Sequence, residues 1–250
     1  MRVLAIIPAR YKSSRFPGKP LVDIMGTSMI QRVYNQVSLC REVSKIIIAT
    51  DDERIALHVK GFGGNVMMTS KHHESGTDRC GEVLSKLEED FDVVVNIQGD
   101  EPFIEPLQIQ QLISLFKEEE EEEEEEEIKI ATLAKQINDY SLYKDENKVK
   151  VIINDSNFAV TFQRKGDVSE ETFLEKEYFK HIGIYAFQQE TLEEITKLSP
   201  SKNEKNLNLE QLRWLDNNYK IKIGITEFDP LSVDNSEDIE KIIEFHSKNA

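Results

Sequence analysis

Two cysteines, Cys40 and Cys80, are the only thiols in 250 residues. A disulfide framework is therefore not expected, and a reducing compartment fits. No run reaches the 18 apolar residues that a membrane-spanning helix needs, which argues against integral-membrane functions. The N-terminus enters a core-like apolar run at once and has no signal-peptide layout, so a cytoplasmic location is expected. Basic excess is missing too: Lys and Arg number 31 against 47 Asp and Glu, a formal net charge of −16. Ten of those acids form one tract, Glu118 to Glu127, and setting them aside leaves −6, ordinary for a soluble enzyme. Such a chain has no broad basic face, so nucleic acid is not an expected partner. Two common nucleotide fingerprints are also absent. There is no G-x-x-x-x-G-K-[ST], and no G-x-G-x-x-G follows the first strand. No internal repeat and no Pro- or Ser-rich linker interrupts the chain, so one domain spanning residues 1–250 is expected.

What is present begins at the N-terminus. Val3 to Ile7 form a continuous apolar run, the pattern of a strand buried on both faces of a parallel sheet. After Pro8 comes a polar loop with three cations, Arg10, Lys12 and Arg15, two hydroxyls, Ser13 and Ser14, and then Pro17, Gly18 and Lys19. Loops at the carboxyl ends of strands form the ligand crevice of an open α/β sheet. Guanidinium forks, an ammonium group, hydroxyls and backbone amides in such a loop suit a polyphosphate. The competing role is a solvated basic loop.

Further along, Thr27 or Ser28 is placed to cap a helix reaching about Leu39, with Met29, Ile30, Val33, Tyr34 and Val37 on its apolar stripe. Ile46–Ala49 reads as a second buried strand, and Asp51 or Asp52 as the cap of a helix running through Val59. Asn65–Thr69 is a third short strand. The pair His72-His73 points to opposite faces and has no Cys or further His at ligand spacing, so zinc is not expected. Ser75-Gly76-Thr77 starts a helix whose buried stripe is Cys80, Val83, Leu84 and Leu87. A fourth strand, Asp92–Ile97, leads into Gln98-Gly99-Asp100-Glu101-Pro102. An acid pair after a buried strand, behind a Gly that lets backbone approach closely, is a natural magnesium station. The alternative is that these acids only open the next helix, Leu107–Phe116.

The Glu tract reads as a lengthened surface connection before a strand at Ile128–Ala134. From Val149 the pattern changes. Val149–Ile153, Phe158–Gln163 and Phe179–Phe187 are strand-like with little helix between them, which predicts an antiparallel or mixed sub-region over residues 150–190. Helices are expected at Leu192–Leu198 and Leu207–Asn217, a last long strand at Tyr219–Phe228, and a final helix from about Ser236. Asp234, expected just after that strand, is a second candidate metal acid or a helix N-cap.

Seven separated motifs accumulate in order: IPARYKSSRFPGKPL from Ile7, ATDDERI from Ala49, SGTDR from Ser75, NIQGDEP from Asn96, HIGIYAF from His181, LEQLRWL from Leu209 and VDNSEDI from Val233. Together they resemble the 3-deoxy-manno-octulosonate (Kdo) cytidylyltransferases, over nearly the whole chain. The resemblance implies a Rossmann-like nucleotidyltransferase α/β fold, with a mostly parallel central sheet and a smaller antiparallel or mixed dimerisation region. It implies transfer of CMP from CTP to Kdo with release of pyrophosphate, for lipopolysaccharide biosynthesis. It further implies magnesium as cofactor and a cytoplasmic homodimer with no membrane partner.

Position by position, the resemblance puts Arg10, Ser13 and Lys19 on the CTP phosphates, and Ala9, Gly76 and Arg79 near the cytidine. Asp100 and Asp234 match the magnesium carboxylates. Gln98, Arg164, His181, Tyr185, Glu210 and Gln211 match the sugar-acid side. Arg10, Lys19, Asp100 and Asp234 are then the expected catalytic set. His181, on an apolar strand, is expected to orient the sugar acid rather than act as general base. One departure stands out. The family pattern is Phe-Ser-Arg followed by Ile-Pro and a second Arg, whereas this chain reads Phe162-Gln163-Arg164-Lys165-Gly166-Asp167-Val168. An amino-substituted Kdo or a sialic-acid-like sugar is therefore an alternative substrate, and a non-catalytic nucleotide-binding relative is an alternative of another class.

Overall fold

A computed structural model describes residues 1–12, 16–117, 127–229 and 231–249. Most of the Glu tract, and with it the expected surface connection, lies outside the described residues. The chain forms two compact units, Met1–Gln110 with Pro230–Ala250, and Gln111–Asp229.

The first unit is built on β1 (Val3–Ala9), whose Val3-Leu4-Ala5-Ile6-Ile7 run is fully buried as its composition predicts. A two-residue hairpin follows, β2 (Asp23–Ile24) and β3 (Thr27–Ser28), turned by Met25 and Gly26, both at positive φ as a type I′ turn requires. Ser28 rather than Thr27 caps α1 (Met29–Ser38), accepting the Gln31 N–H. Next come β4 (Lys45–Thr50), then α2 (Glu53–Gly61) capped by Asp52, then β5 (Val66–Met68). Ser75 caps α3 (Gly76–Ser85), and β6 (Val93–Asn96) and α4 (Pro106–Ser114) follow. Leu87, expected on the α3 stripe, falls beyond the end of that helix.

The strands of this unit lie in the order β6–β1–β4–β5, all parallel. The chain builds outward from β1 through β4 and β5, then returns to the other side of β1 for β6. That reversal is a topological switch point, and the carboxyl ends of β1 and β6 flank the crevice where such sheets bind ligands.

The second unit opens with β7 (Ile130–Gln136), α5 (Tyr140–Lys144), β8 (Lys150–Ile153) and β9 (Ala159–Gln163). It continues through α6 (Glu170–Leu174), β10 (Phe179–Gln188), α7 (Gln189–Ile195), α8 (Lys202–Leu207), α9 (Gln211–Asp216) and β11 (Lys222–Ile225). β10 runs antiparallel to β7 and to β8, β8 antiparallel to β9, and β11 parallel to β7. The mixed sub-region expected after Val149 is therefore present.

Three expectations need correction here. The strand-like stretch from Val149 contains one short helix, α6, and a second, α5, precedes it. Asp139 and Ser169 cap them, and a cluster of Tyr143, Phe173 and Tyr178 buries their inner faces. The helix expected at Leu207–Asn217 is the shorter α9, because Asn208, in the left-handed region at φ 51°, ends the preceding α8 at Leu207. The last strand is four residues long, because Tyr219 is held in the turn after α9 by its N–H to the Trp214 carbonyl.

The chain then returns to the first unit in α10 (Ser236–Asn249), where Ile242 joins Ile24, Met29 and Val233 in a small core. No helix among the described residues is long and apolar enough to cross a membrane.

Candidate active site

At the switch point of the first unit lies a cleft of about 260 Å³. It is lined by the end of β1 (Pro8, Ala9, Arg10), Lys19, the start of α3, the turn after β6 and Asp234. Sequence positions far apart meet here, most of them because they follow a strand end or open a helix. Arg10 is exposed where β1 ends, and Ala9 beside it is buried. Ser13 lies outside the described residues.

Lys19 stands on a one-turn 3-10 helix, Lys19–Leu21, entered through Gly18 at φ 75°. Its ammonium donates to Asp100 Oδ2 at 2.8 Å and to the Val233 carbonyl at 2.7 Å. The Val233 N–H in turn donates to the Asp100 carbonyl at 2.9 Å. One lysine therefore joins the turn carrying Asp100 to the segment carrying Asp234.

The Gly99 position explains why that turn sits so close to β1. A Cβ there would lie 2.5 Å from the Pro8 carbonyl oxygen, so only glycine fits. Asp234 is exposed at the cleft, and its N–H donates to Asp238. The N-cap of α10 is Asn235, which accepts the N–H groups of Glu237 and Asp238; Asp234 does not take that role. Nor does Asp234 follow directly on a strand, since β11 ends at Ile225.

On the α3 side, Gly76 opens the helix with its Cα facing Pro8, and a Cβ would come to 3.4 Å from the proline ring. Arg79 is buried. It donates to Thr69 Oγ1 and lies 3.7 Å from Asp51, so it links the carboxyl ends of β4 and β5. The loop before α3 is held by Glu82, which accepts from the Ser70 N–H, from Lys86 and from His73. Burial alone would raise the Glu82 carboxyl, but these donors hold it down at about 2. Gln98 lines the cleft beside Gly99.

The other residues expected on the sugar-acid side belong to the second unit. His181 and Tyr185 lie on β10, on either side of a register irregularity between Ile182 and Tyr185, with ring centroids 5.3 Å apart. The Thr132 hydroxyl is 2.6 Å from the Ile184 carbonyl and 3.1 Å from His181 Nε2. Its single proton goes to the carbonyl, so His181 Nε2 is the donor in their bond. Burial, with Lys180 adding repulsion, pushes the His181 imidazole down to about 3, so it is neutral at physiological pH.

Tyr185 is buried, its hydroxyl has no hydrogen-bond partner among the described residues, and burial and Glu210 push its pKa up. Glu210 and Gln211 open α9, and Trp214 of the same helix packs edge-on against Tyr185 at 5.0 Å. Arg164 donates to the backbone carbonyls of Leu207, Asn208 and Glu146. It thereby fixes the turn that leads into α9.

Some participants escaped sequence reasoning. Thr132 had a signal, since it is the one hydroxyl in the apolar run Ile130–Ala134. The Val233 carbonyl and the Lys19–Asp100 pair had none, because no local pattern encodes a contact 81 residues apart.

A cytidylyltransferase family model matches residues 4–223. The chain is 46% identical over 256 residues to the 3-deoxy-manno-octulosonate cytidylyltransferase of Parabacteroides distasonis, an alignment covering 98% of each. It is 42% identical over 242 residues to the 8-amino-3,8-dideoxy-manno-octulosonate cytidylyltransferase of Shewanella baltica, covering 96% of this chain and 97% of that one. A solved CMP:2-keto-3-deoxy-manno-octonic acid synthetase complexed with CTP superposes with a TM-score of 0.91 at 34% identity, over 100% of both chains. This agreement in sequence over nearly the full length and in fold places the chain in the 3-deoxy-manno-octulosonate cytidylyltransferase family.

Proposed function

We propose that the protein transfers CMP from CTP to 3-deoxy-D-manno-octulosonate, with magnesium, giving CMP-Kdo and pyrophosphate. The observation that carries this reading is the convergence of Arg10, Lys19, Asp100 and Asp234 on one cleft at the sheet's switch point. Phosphoryl-type transfer leaves little covalent work to a protein, so positioning and charge neutralisation dominate. Arg10 and Lys19 hold the triphosphate. Gly76 leaves room beside Pro8 for the cytidine, and buried Arg79 fixes the wall behind it. The neutral His181, the Tyr185 hydroxyl, Glu210 and Gln211 serve as hydrogen-bonding groups for the sugar acid. Arg164 acts there through the turn it holds.

The donor set fits magnesium. Two carboxylates at the cleft are the few hard oxygen ligands this ion takes from protein, and phosphate oxygens and water complete its shell. Asp100 and Asp234 would hold it. Bound there, it supplies Lewis-acid stabilisation at the α-phosphate and lowers the pKa of the attacking anomeric hydroxyl. Lys19 keeps the Asp100 carboxylate oriented and brings a fixed positive charge to the same point.

The family relationship supports a role in lipopolysaccharide biosynthesis, a cytoplasmic location and a homodimer. The exposed Ile152 and Val160 of the β8–β9 hairpin also favour the dimer. A second substrate reading is favoured by the altered segment after Phe162 and by the Shewanella baltica relative: the 8-amino analogue of Kdo. Pyrophosphate release from CTP and magnesium, with Kdo, its 8-amino analogue and N-acetylneuraminate in parallel, tests both. Release with Kdo is expected. Release confined to the amino sugar would replace Kdo as substrate, and none with any sugar would overturn the reading.

A further inference from the structure

Outside the cleft, the Thr50-Asp51-Asp52-Glu53-Arg54 segment contains a contact that the proposed reaction does not use directly. The Arg54 guanidinium carbon lies 3.3 Å above the centroid of the Tyr11 ring. The other end of that guanidinium is forked onto Asp52, Nε to Oδ1 at 2.8 Å and Nη2 to Oδ2 at 2.7 Å. Asp52 is itself fixed, because Oδ1 accepts the Arg54 N–H as the cap of α2.

The Tyr11 ring packs directly against Gly18. A Cβ on Gly18 would lie 3.1 Å from Tyr11 Cζ and from its hydroxyl. The Gly18 N–H donates to the Tyr11 carbonyl at 2.9 Å and ties the two residues together. Gly18, at φ 75°, then leads straight into Lys19, whose ammonium is the bridge in the cleft. A continuous stack thus runs from the N-terminus of α2 through Asp52, Arg54, Tyr11 and Gly18 to Lys19.

Exposed arginine does not ordinarily stay in one place, since its side chain carries much rotamer freedom. A bidentate carboxylate and an aromatic face together restrict it to one geometry. Lysine reproduces neither the fork nor the planar stack.

We propose that Arg54 is a positioning residue for the triphosphate-binding loop, bracing Tyr11 and so setting Lys19 in the cleft without touching nucleotide. The inference rests on the reading of that cleft as the CTP site. The alternative is that Arg54 only adds positive potential near an anionic ligand. Lysine would serve equally well in that role.

The test is steady-state kinetics of CMP transfer with the full chain: wild type, Arg54→Ala, Arg54→Lys, Asp52→Asn and Lys19→Met, with thermal melts alongside. The expected result is a KM for CTP raised about tenfold in Arg54→Ala, with kcat within about twofold, KM for the sugar unchanged and the melting temperature nearly so; tenfold corresponds to about 1.4 kcal/mol. Arg54→Lys should be as defective as Arg54→Ala, and Asp52→Asn should show a smaller rise of the same kind. A Lys variant with wild-type KM would overturn the proposal in favour of simple charge. Wild-type KM in Arg54→Ala beside a defective Lys19→Met would overturn it alone. An unaffected Lys19→Met would overturn the reading of the cleft, and the proposal with it.

Discussion

Lys19 has two acceptors, one a carboxylate and one a backbone carbonyl, and both belong to segments that also present acids to the cleft. Replacing Asp100 by Ala removes the carboxylate partner and one proposed metal ligand together. A loss of about 10²–10³-fold in kcat is expected, with a small change in thermal stability, as for removal of a charge-stabilising group elsewhere. Steady-state rates and a melt measured on the same preparation check this. At His181 the expectation concerns pH. Its folded pKa, pushed down to about 3, lies below the unfolded value, so stability is fully present above about 6.5 and declines as pH falls toward 3. Urea unfolding from pH 7.5 to 4.5 should show that decline, and His181→Gln should flatten it. An acid limb of activity near pH 6 that disappears in the same variant would instead make His181 a titrating catalytic group.

At the scale of elements, caps and close approaches set where chains turn. Ser28, Asp52 and Ser75 stand at helix starts expected from the sequence, and each does cap a helix. Ser201 with Glu204 forms a reciprocal capping box, and Arg213 of α9 pairs with the same Glu204 at 2.5 Å. The S-x-x-E signature of α8 stands in the sequence, although the helix expected in this region began only at Leu207, where α8 ends. Ser201→Ala should cost about 1 kcal/mol in unfolding free energy. Because α8 leads to the turn held by Arg164, it should also raise KM for the sugar more than KM for CTP. At Gly99 the constraint is steric. Ala would force its Cβ into the Pro8 carbonyl, so Gly99→Ala should destabilise by about 1–3 kcal/mol and reduce turnover, read by denaturant unfolding and kinetics. The last strand was overextended for a related reason. Ile221, Ile223 and Ile225 continue an alternating pattern, but nothing local shows that Tyr219 is retained by the turn after α9.

For the whole molecule, the parallel core and several residues of its cleft were legible because buried parallel strands and the polar loops at their ends have sharp local chemistry. Val3–Ile7, the Arg10–Lys19 loop and Gly99-Asp100 could each be read where they stand. The contacts that assemble the site could not. Lys19 meets Asp100 and the Val233 carbonyl through topology, and Thr132 meets His181 through the pairing of β7 with β10. The acidic tract is the feature least tied to this chemistry. Replacing Glu118–Glu127 by a Gly-Ser segment of equal length takes the formal charge from −16 to −6. It should leave kcat/KM within about twofold, since the proposed chemistry assigns the tract no group.

The central claim is that the cleft joins CMP to the anomeric oxygen of an eight-carbon sugar acid. Phosphorus and carbon NMR of one reaction mixture, containing CTP, Kdo, magnesium and the protein, reads that bond directly. The account predicts a new phosphodiester resonance coupled to the anomeric carbon, growing in step with pyrophosphate and missing with Asp100→Ala. CTP that stays intact while binding the protein, or pyrophosphate that accumulates with no sugar-linked phosphodiester, would contradict it.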